Sequence, residues 1–135
     1  MSLDVVILGV FVADTAYRAK RQPHMGETIL GQSFALGPGG KGSNQAVAVA
    51  KAGTSVGFIT RLGRDPFAEM ALATWNSAGV TSLATQHVDS YTGAAYIFVD
   101  DATGDNAIIV CPGVAAGISR TDIDRNQQAI RACRV

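Results

Sequence analysis

The chain carries no excess of charge, because 11 Lys and Arg side chains cancel 11 Asp and Glu. Its densest basic stretch is the short segment Arg18–Arg21, with an alanine inside it. Nucleic acid is held chiefly by neutralising phosphates, so a chain without a basic patch is not built for DNA or RNA. Cysteine is scarce as well. Cys111 and Cys133 lie far apart, without a close cysteine or a histidine pair beside them, which leaves neither a zinc site nor a disulfide framework. Both are expected as buried free thiols. Long apolar runs are also missing: the segment Val5–Ala13 follows Asp4, has no basic flank and is far shorter than the roughly 20 residues of a membrane span. It reads as a buried strand of a cytoplasmic protein. No repeat, low-complexity tract or Pro/Ser-rich linker divides the 135 residues, which are treated as one folding unit.

What is present is the material of a buried core. Apolar residues make up 47% and charged residues 16%, a balance that excludes a disordered chain. Leu3–Gly9 is a continuous aliphatic run, as in a parallel strand covered on both faces. Thr15–Leu36 is mixed and punctuated by turns until Thr28–Leu36 alternates like a strand with one exposed face. A helix follows, with Ser43 as its expected N-cap and Gly53 just past its end. "SVGFITRLG" gives a second buried strand. The next helix has Asp65 as cap, Pro66 at its first position and Gly79 as terminator, and it carries Phe67, Met70, Ala71, Trp75 and Ala78 on one face. "TGAAYIFVDDATGDNAIIVC" reads as a hairpin turning at Gly104. Ser119 caps a last helix expected over 119–133. Alternating strands and helices with β outgrowths imply an α/β sheet.

The chemistry concentrates in "LGPGGKGSNQAVAVAKAG", residues 36–53, where five glycines surround the start of a helix. Glycine inside a helix or strand costs about 0.5–1 kcal/mol against alanine, so these need a reason. "GPGGKG" over 37–42 matches the three-glycine dinucleotide fingerprint, but it does not follow the first strand, and Arg61 stands where an acidic ribose ligand is wanted. The P-loop fits less well, since Gly42 follows Lys41 where Ser or Thr should hold magnesium, and Ala35 replaces the leading glycine. What remains is a set of backbone N–H groups at a helix start, beside Lys41 and the amide of Asn44 and facing the carboxylate of Asp14 beyond the first strand. Hydroxyl groups suit such a surface. Asp14 has an ordinary reading as a turn or cap residue and Lys41 as a solvated lysine. Asn44 is freed from capping by Ser43. Glu27 reads as a turn residue, Asp65 as a helix cap, and His24 and His87 as surface residues.

"GGKGSNQAVAVAKAG" followed by "VGFITRLGRDPFAEM" resembles the first signature of the ribokinase family of carbohydrate kinases, the PfkB type. "LGVFVADT", "MGETILG", "TGAAYIFVD" and "GDNAIIVCPG" are similar to further family segments in the family's order. The resemblance spans nearly the whole chain but only the amino-terminal portion of the family's length. It implies a ribokinase-like three-layer α/β/α sandwich with a small β-sheet lid, present as an N-terminal fragment covering 1–135, with lid segments at about 15–36 and 92–110. It further implies ATP-dependent phosphorylation of a sugar's primary hydroxyl, with Asp14, Gly40, Lys41 and Asn44 holding the sugar and Ala95 and Val110 supplying apolar lid contacts. A homodimer through the lid is implied too. Val12 stands where ribokinases proper carry an asparagine, so ribose leads but the sugar stays open. The second signature, a glycine-rich "GAGD" turn bearing the general base and the anion hole, is not in these residues. ATP, Mg2+ and a monovalent cation are therefore expected only on the full-length enzyme, and this chain alone is expected to bind sugar without turnover. Two other readings stand beside it: an NADP-dependent oxidoreductase using the 37–42 loop, and a non-catalytic polyol-binding or dimerisation module.

Overall fold

In chain order the elements are β1 (Val5–Leu8), β2 (Val12–Ala19), β3 (Ser33–Gly39), α1 (Lys41–Lys51), β4 (Val56–Ile59), β5 (Arg61–Leu62), α2 (Pro66–Ala78), β6 (Thr81–Ser82), β7 (Thr85–Gln86), β8 (Thr92–Asp100) and β9 (Asn106–Gly113). A 3-10 turn at Val114–Gly117 leads to α3 (Arg120–Arg125) and α4 (Gln127–Ala132). The structure is a computed structural model that describes residues 2–135.

Strands β1, β4 and β6 form a parallel sheet in the order β1-β4-β6, and the two-residue strands β5 and β7 extend the same strand and helix alternation as a parallel pair. Alternation along these strands sends side chains to two opposite faces. Val5, Ile7 and Phe58 join the core beneath α1 and α2. Val6, Leu8 and Ile59 face the other way, toward Ile123 of α3 and Ile130 of α4. Helices on both faces of a parallel sheet make a three-layer α/β/α body. The core centres on Trp75, fully buried, with Phe11 and Phe58 edge-on to its ring at 5.9 and 5.1 Å. Among the described residues no helix is long and apolar enough to cross a membrane.

The second sheet is the outgrowth. Its order is β3-β2-β8-β9, with β2 and β8 parallel at the centre and antiparallel partners at both edges. Two arms of the chain, far apart in sequence, thus share one four-stranded lid rather than forming separate hairpins. The first arm starts at Val12 and the second ends at Gly113, wider than the expected 15–36 and 92–110.

Four local expectations are corrected. Helix α1 begins at Lys41, with Gly40 in the cap position at φ 93° and no side-chain cap bond. Ser43 lies inside the first turn, buried, where its hydroxyl accepts the Trp75 indole N–H at 2.8 Å. Residues Thr28–Gln32 are irregular, and the strand starts at Ser33, because Gln32 instead turns its N–H to the Arg18 carbonyl and its side-chain amide to Asp101. The last helix breaks at Asn126, whose side-chain amide donates to the Asp122 carbonyl at 2.8 Å and takes the acceptor the backbone would have used. The thiols are not buried: Cys111 is exposed on the edge strand β9 and Cys133 is half-buried near the chain end.

Candidate functional site

Asp14 is the third residue of β2, beyond the turn that carries the chain out of the parallel sheet, and not at the end of β1. In the register of the lid, Asp14 sits opposite Gly37 on one side and Ala95 on the other, and Ala95 sits opposite Val110. Paired residues in a sheet present their side chains to the same face, so Asp14, Ala95 and Val110 form one row across three strands. The Thr15 hydroxyl, on the opposite face, donates to the Ala95 carbonyl at 2.9 Å and ties the two central strands at this row.

Gly39 explains part of the glycine run. A Cβ there would fall 2.3 to 2.4 Å from the Asp14 carboxylate atoms, so the carboxylate occupies the space a side chain would fill. Asp14 is half-buried, and its carboxylate accepts no hydrogen bond among the described residues. Burial pushes its carboxyl above the ordinary value of 3.8, because the charged form loses water without gaining a donor. An acceptor prepared in this way is suited to a ligand's hydroxyl groups.

Gly40 joins this row to the body. Its φ of 93° is open to glycine, and a Cβ would stand 2.4 Å from the Val10 carbonyl oxygen. Gly42 packs its backbone on Gly9, where an added Cβ would meet the Gly9 Cα at 3.0 Å. These approaches seat the start of α1 directly against the β1–β2 turn. Lys41 and Asn44 are exposed in that first turn, and neither side chain has an ion pair or hydrogen bond among the described residues. Asn44 donates only its backbone N–H, to the Gly40 carbonyl at 2.9 Å. Ala95 is buried and Val110 is 53% exposed, so the row runs from packed wall to open lid edge.

The site offers one carboxylate as acceptor and, as donors, one amine, one amide and the free N–H groups at the start of an 11-residue helix. It can hold hydroxyls and oxyanions. Among the described residues no three His, Cys, Asp or Glu side chains gather as metal ligands, and no step is assigned to a metal here. The dinucleotide fingerprint has the wrong setting. Gly37 and Gly39 belong to β3, an antiparallel lid strand, whereas that motif requires the turn between a parallel strand and its helix. Arg61 is engaged as well, with its guanidinium on Asp122 at 2.8 to 3.0 Å. Glu27 pairs with Arg21, and His87 sits beside the Thr85 hydroxyl at 2.8 Å.

A parallel α/β/α body with a four-stranded sheet projecting from its strand ends is a ribokinase-like fold. Residues 2–134 match the pfkB family carbohydrate kinase profile, and the chain belongs to that family. It is 33% identical over 134 residues to a deoxyribokinase of Salmonella typhi, an alignment covering 98% of this chain and 44% of that protein. Among solved structures it is similar to the ribokinase of Giardia lamblia, with TM-score 0.87 and 29% identity over 98% of this chain and 40% of that one. It is also similar to Arabidopsis thaliana ribokinase complexed with ribose and ATP, with TM-score 0.71 and 30% identity over 84% and 37%. The chain thus spans less than half the length of the relatives it matches.

Proposed function

We propose that these residues are the sugar-binding and lid portion of an ATP-dependent kinase for a pentose, ribose or its deoxy analogue, working in the cytoplasm. The carrying observation is Asp14: a half-buried carboxylate without a donor, in a row with Ala95 and Val110 and against the bare backbone of Gly39. Asp14 accepts hydrogen bonds from sugar hydroxyls, while the Gly40 backbone, Lys41 and the Asn44 amide supply the opposing donors. Ala95 and Val110 close the apolar side and exclude water. Val12 in place of an asparagine leaves the sugar one polar contact short, which suits a deoxy sugar as well as ribose.

In the reaction a primary hydroxyl oxygen bonds to the γ-phosphorus of ATP, the bridging β–γ P–O bond breaks and ADP leaves. The hydroxyl proton passes to a general base. That base and the anion hole, a glycine-rich turn ending in aspartate in this family, are not among these 135 residues, and the ATP site with Mg2+ and a monovalent cation goes with them. Such transfer depends on positioning and charge stabilisation, so this chain alone should bind sugar without turning it over. The lid's second face, with Tyr17, Phe34, Leu36 and Ile109 exposed, is the surface we assign to a second copy of the chain.

Titration calorimetry of this chain with pentoses, hexoses, ATP and NADPH tests the assignment. Sugar heat without nucleotide heat is expected, and NADPH heat alone would overturn it. In the kinase carrying this segment, Asp14→Asn should raise the sugar KM by about 10- to 100-fold, the worth of hydrogen bonds to a charged group. Gly39→Ala should act in the same direction, since its methyl takes the carboxylate's place.

A further inference from the structure

The lid leaves the body at four backbone points, and one of them is fastened by a side chain. At the foot of β8 the Thr92 N–H donates to Oδ2 of Asp65 at 2.8 Å, while Oδ1 of the same carboxylate caps α2 through the Ala68 N–H at 2.9 Å. The Thr92 hydroxyl, fully buried, accepts the Gly63 N–H at 2.9 Å. Gly63 has no space for a side chain: a Cβ would stand 2.8 Å from the Thr92 nitrogen and 2.9 Å from both Asp65 Oδ2 and the Ser90 carbonyl oxygen. The Tyr91 carbonyl accepts the Val114 N–H at 2.9 Å, which draws the foot of β9 into the same knot. Burial works to raise the Asp65 carboxyl, but the Thr92 and Ala68 donors outweigh it and hold it below the ordinary value, so both oxygens are engaged as an anion.

A helix cap needs one of these oxygens. The other spans to a strand 27 residues away and does nothing for the helix. Because β2 and β8 are paired along their length, the lid moves as one piece, and whatever fixes the foot of β8 fixes the row Asp14–Ala95–Val110 relative to Lys41 and Asn44. At the other arm the lid joins the body through the Val10–Val12 and Gly39–Lys41 backbone and through Phe11 and Ala13 packed in the core, with no side-chain hydrogen bond from β2 or β3 to the body among the described residues, and Gly40 there already adopts a conformation open to glycine.

We infer that Asp65 is a positioning residue for sugar binding: with Thr92 it clamps the lid to the first turn of α2 and sets the gap between the Asp14 row and the start of α1. The inference rests on the sugar-kinase function proposed above. Asp65 touches no substrate; it acts through β8.

The test uses Asp65→Asn and Asp65→Ser, both of which keep a capping oxygen for Ala68, and Thr92→Val, which keeps strand shape but removes the acceptor for Gly63. In the kinase carrying this segment, Asp65→Asn and Asp65→Ser should raise the sugar KM by about tenfold, with the ATP KM within about twofold of wild type. Thr92→Val should move the same way by less. Hydrogen exchange on the same proteins should show the Thr92 amide losing protection by about tenfold while the amides of α2 keep theirs. A sugar KM unchanged in Asp65→Asn and Asp65→Ser would mean that Asp65 only caps the helix, and the inference would fall. A Thr92 amide still protected in both variants would overturn the clamp itself. If the wild-type kinase phosphorylates no sugar, the functional proposal fails, yet the exchange experiment still decides whether the clamp exists.

Discussion

Asp14 is held in a state that disfavours folding and, under the proposed function, favours binding, and the two effects can be separated by pH. Its carboxyl is raised above 3.8 by burial, with no donor in compensation. A group whose folded pKa is raised contributes stability below its unfolded pKa and loses that contribution as pH rises through the folded value. At neutral pH the unoccupied protein therefore carries an uncompensated charge, and Asp14→Asn should melt higher than wild type at pH 7. The gain should vanish near pH 3, where both are neutral; equal melting temperatures at pH 7 would remove the premise. Saturating sugar should reverse the order, because only the carboxylate gains from the ligand's hydroxyls. This residue was legible in sequence as a lone carboxylate just past a buried strand. Its fit against Gly39 was not, because the contact depends on a strand pairing between β2 and β3 that no local pattern specifies.

Helix α2 shows which elements a sequence announces. Asp65, Pro66 and Gly79 each act within a few residues of the helix end they mark, and all three stand where expected, with Gly79 left-handed at φ 87°. The start of α1 differs from the local pattern because its cap is a glycine without a side chain, and Ser43, a cap by residue type, is spent on Trp75. The final helix is shorter than its pattern because Asn126 competes for a backbone carbonyl within an otherwise helical run. What holds α3 in place was equally invisible. Asp122, 4% exposed, closes a capping box with Ser119 and takes the Arg61 guanidinium from β5, a pairing between residues 61 positions apart. The Arg61 donors lower its pKa first, against burial, with the Ser119 N–H adding to them. Removing one partner of a fully buried pair costs about 3–5 kcal/mol, and with Arg61 19% exposed and the Ser119 N–H still on Asp122 the cost here falls below that range. Arg61→Met should therefore lower the urea midpoint measurably. Asp122→Asn, which stays neutral and can still cap, should cost less. Equal losses, or none in Arg61→Met, would show that the pair does not fasten α3. Since the folded pKa of Asp122 is depressed, its contribution is present above 3.8 and is lost as pH falls through the lower folded value.

At the scale of the molecule the α/β body with its β outgrowths was legible from the alternation of strand and helix periods, and the family resemblance implied that both outgrowths form one lid, whereas the parallel pairing of β2 with β8 is written in no local pattern, since the two lie far apart in the chain. The same sheet arithmetic leaves the β1 edge open beyond Val6. Along β1 the Val6 N–H donates to the Val135 carbonyl at 2.9 Å, and the Arg134 and Val135 N–H groups donate to the Asp4 carbonyl at 2.8 and 3.1 Å. Backbone donors in a parallel strand alternate sides, so the Leu8 N–H faces the same edge farther along, beyond the last paired residue. Beside it lies a groove of about 510 Å³ lined by Val6, Leu8, Ile59, Ile123 and Ile130, with Leu8 46% and Ile123 41% exposed. An open strand next to an apolar groove is a template for another chain. Two surfaces of these 135 residues can therefore recruit a copy: the lid face around Phe34 and the β1 edge around Leu8. They predict different species. Light scattering after size exclusion should find the chain in assemblies larger than a dimer, with bound hydrophobic dye. Leu8→Lys, a charge on the edge, should reduce these to dimers and lower the dye signal, and adding Phe34→Glu should yield monomers. A wild-type chain that runs as a dye-free monomer at tens of micromolar would show that neither surface recruits a copy, and dimers surviving Phe34→Glu would move the interface off the lid.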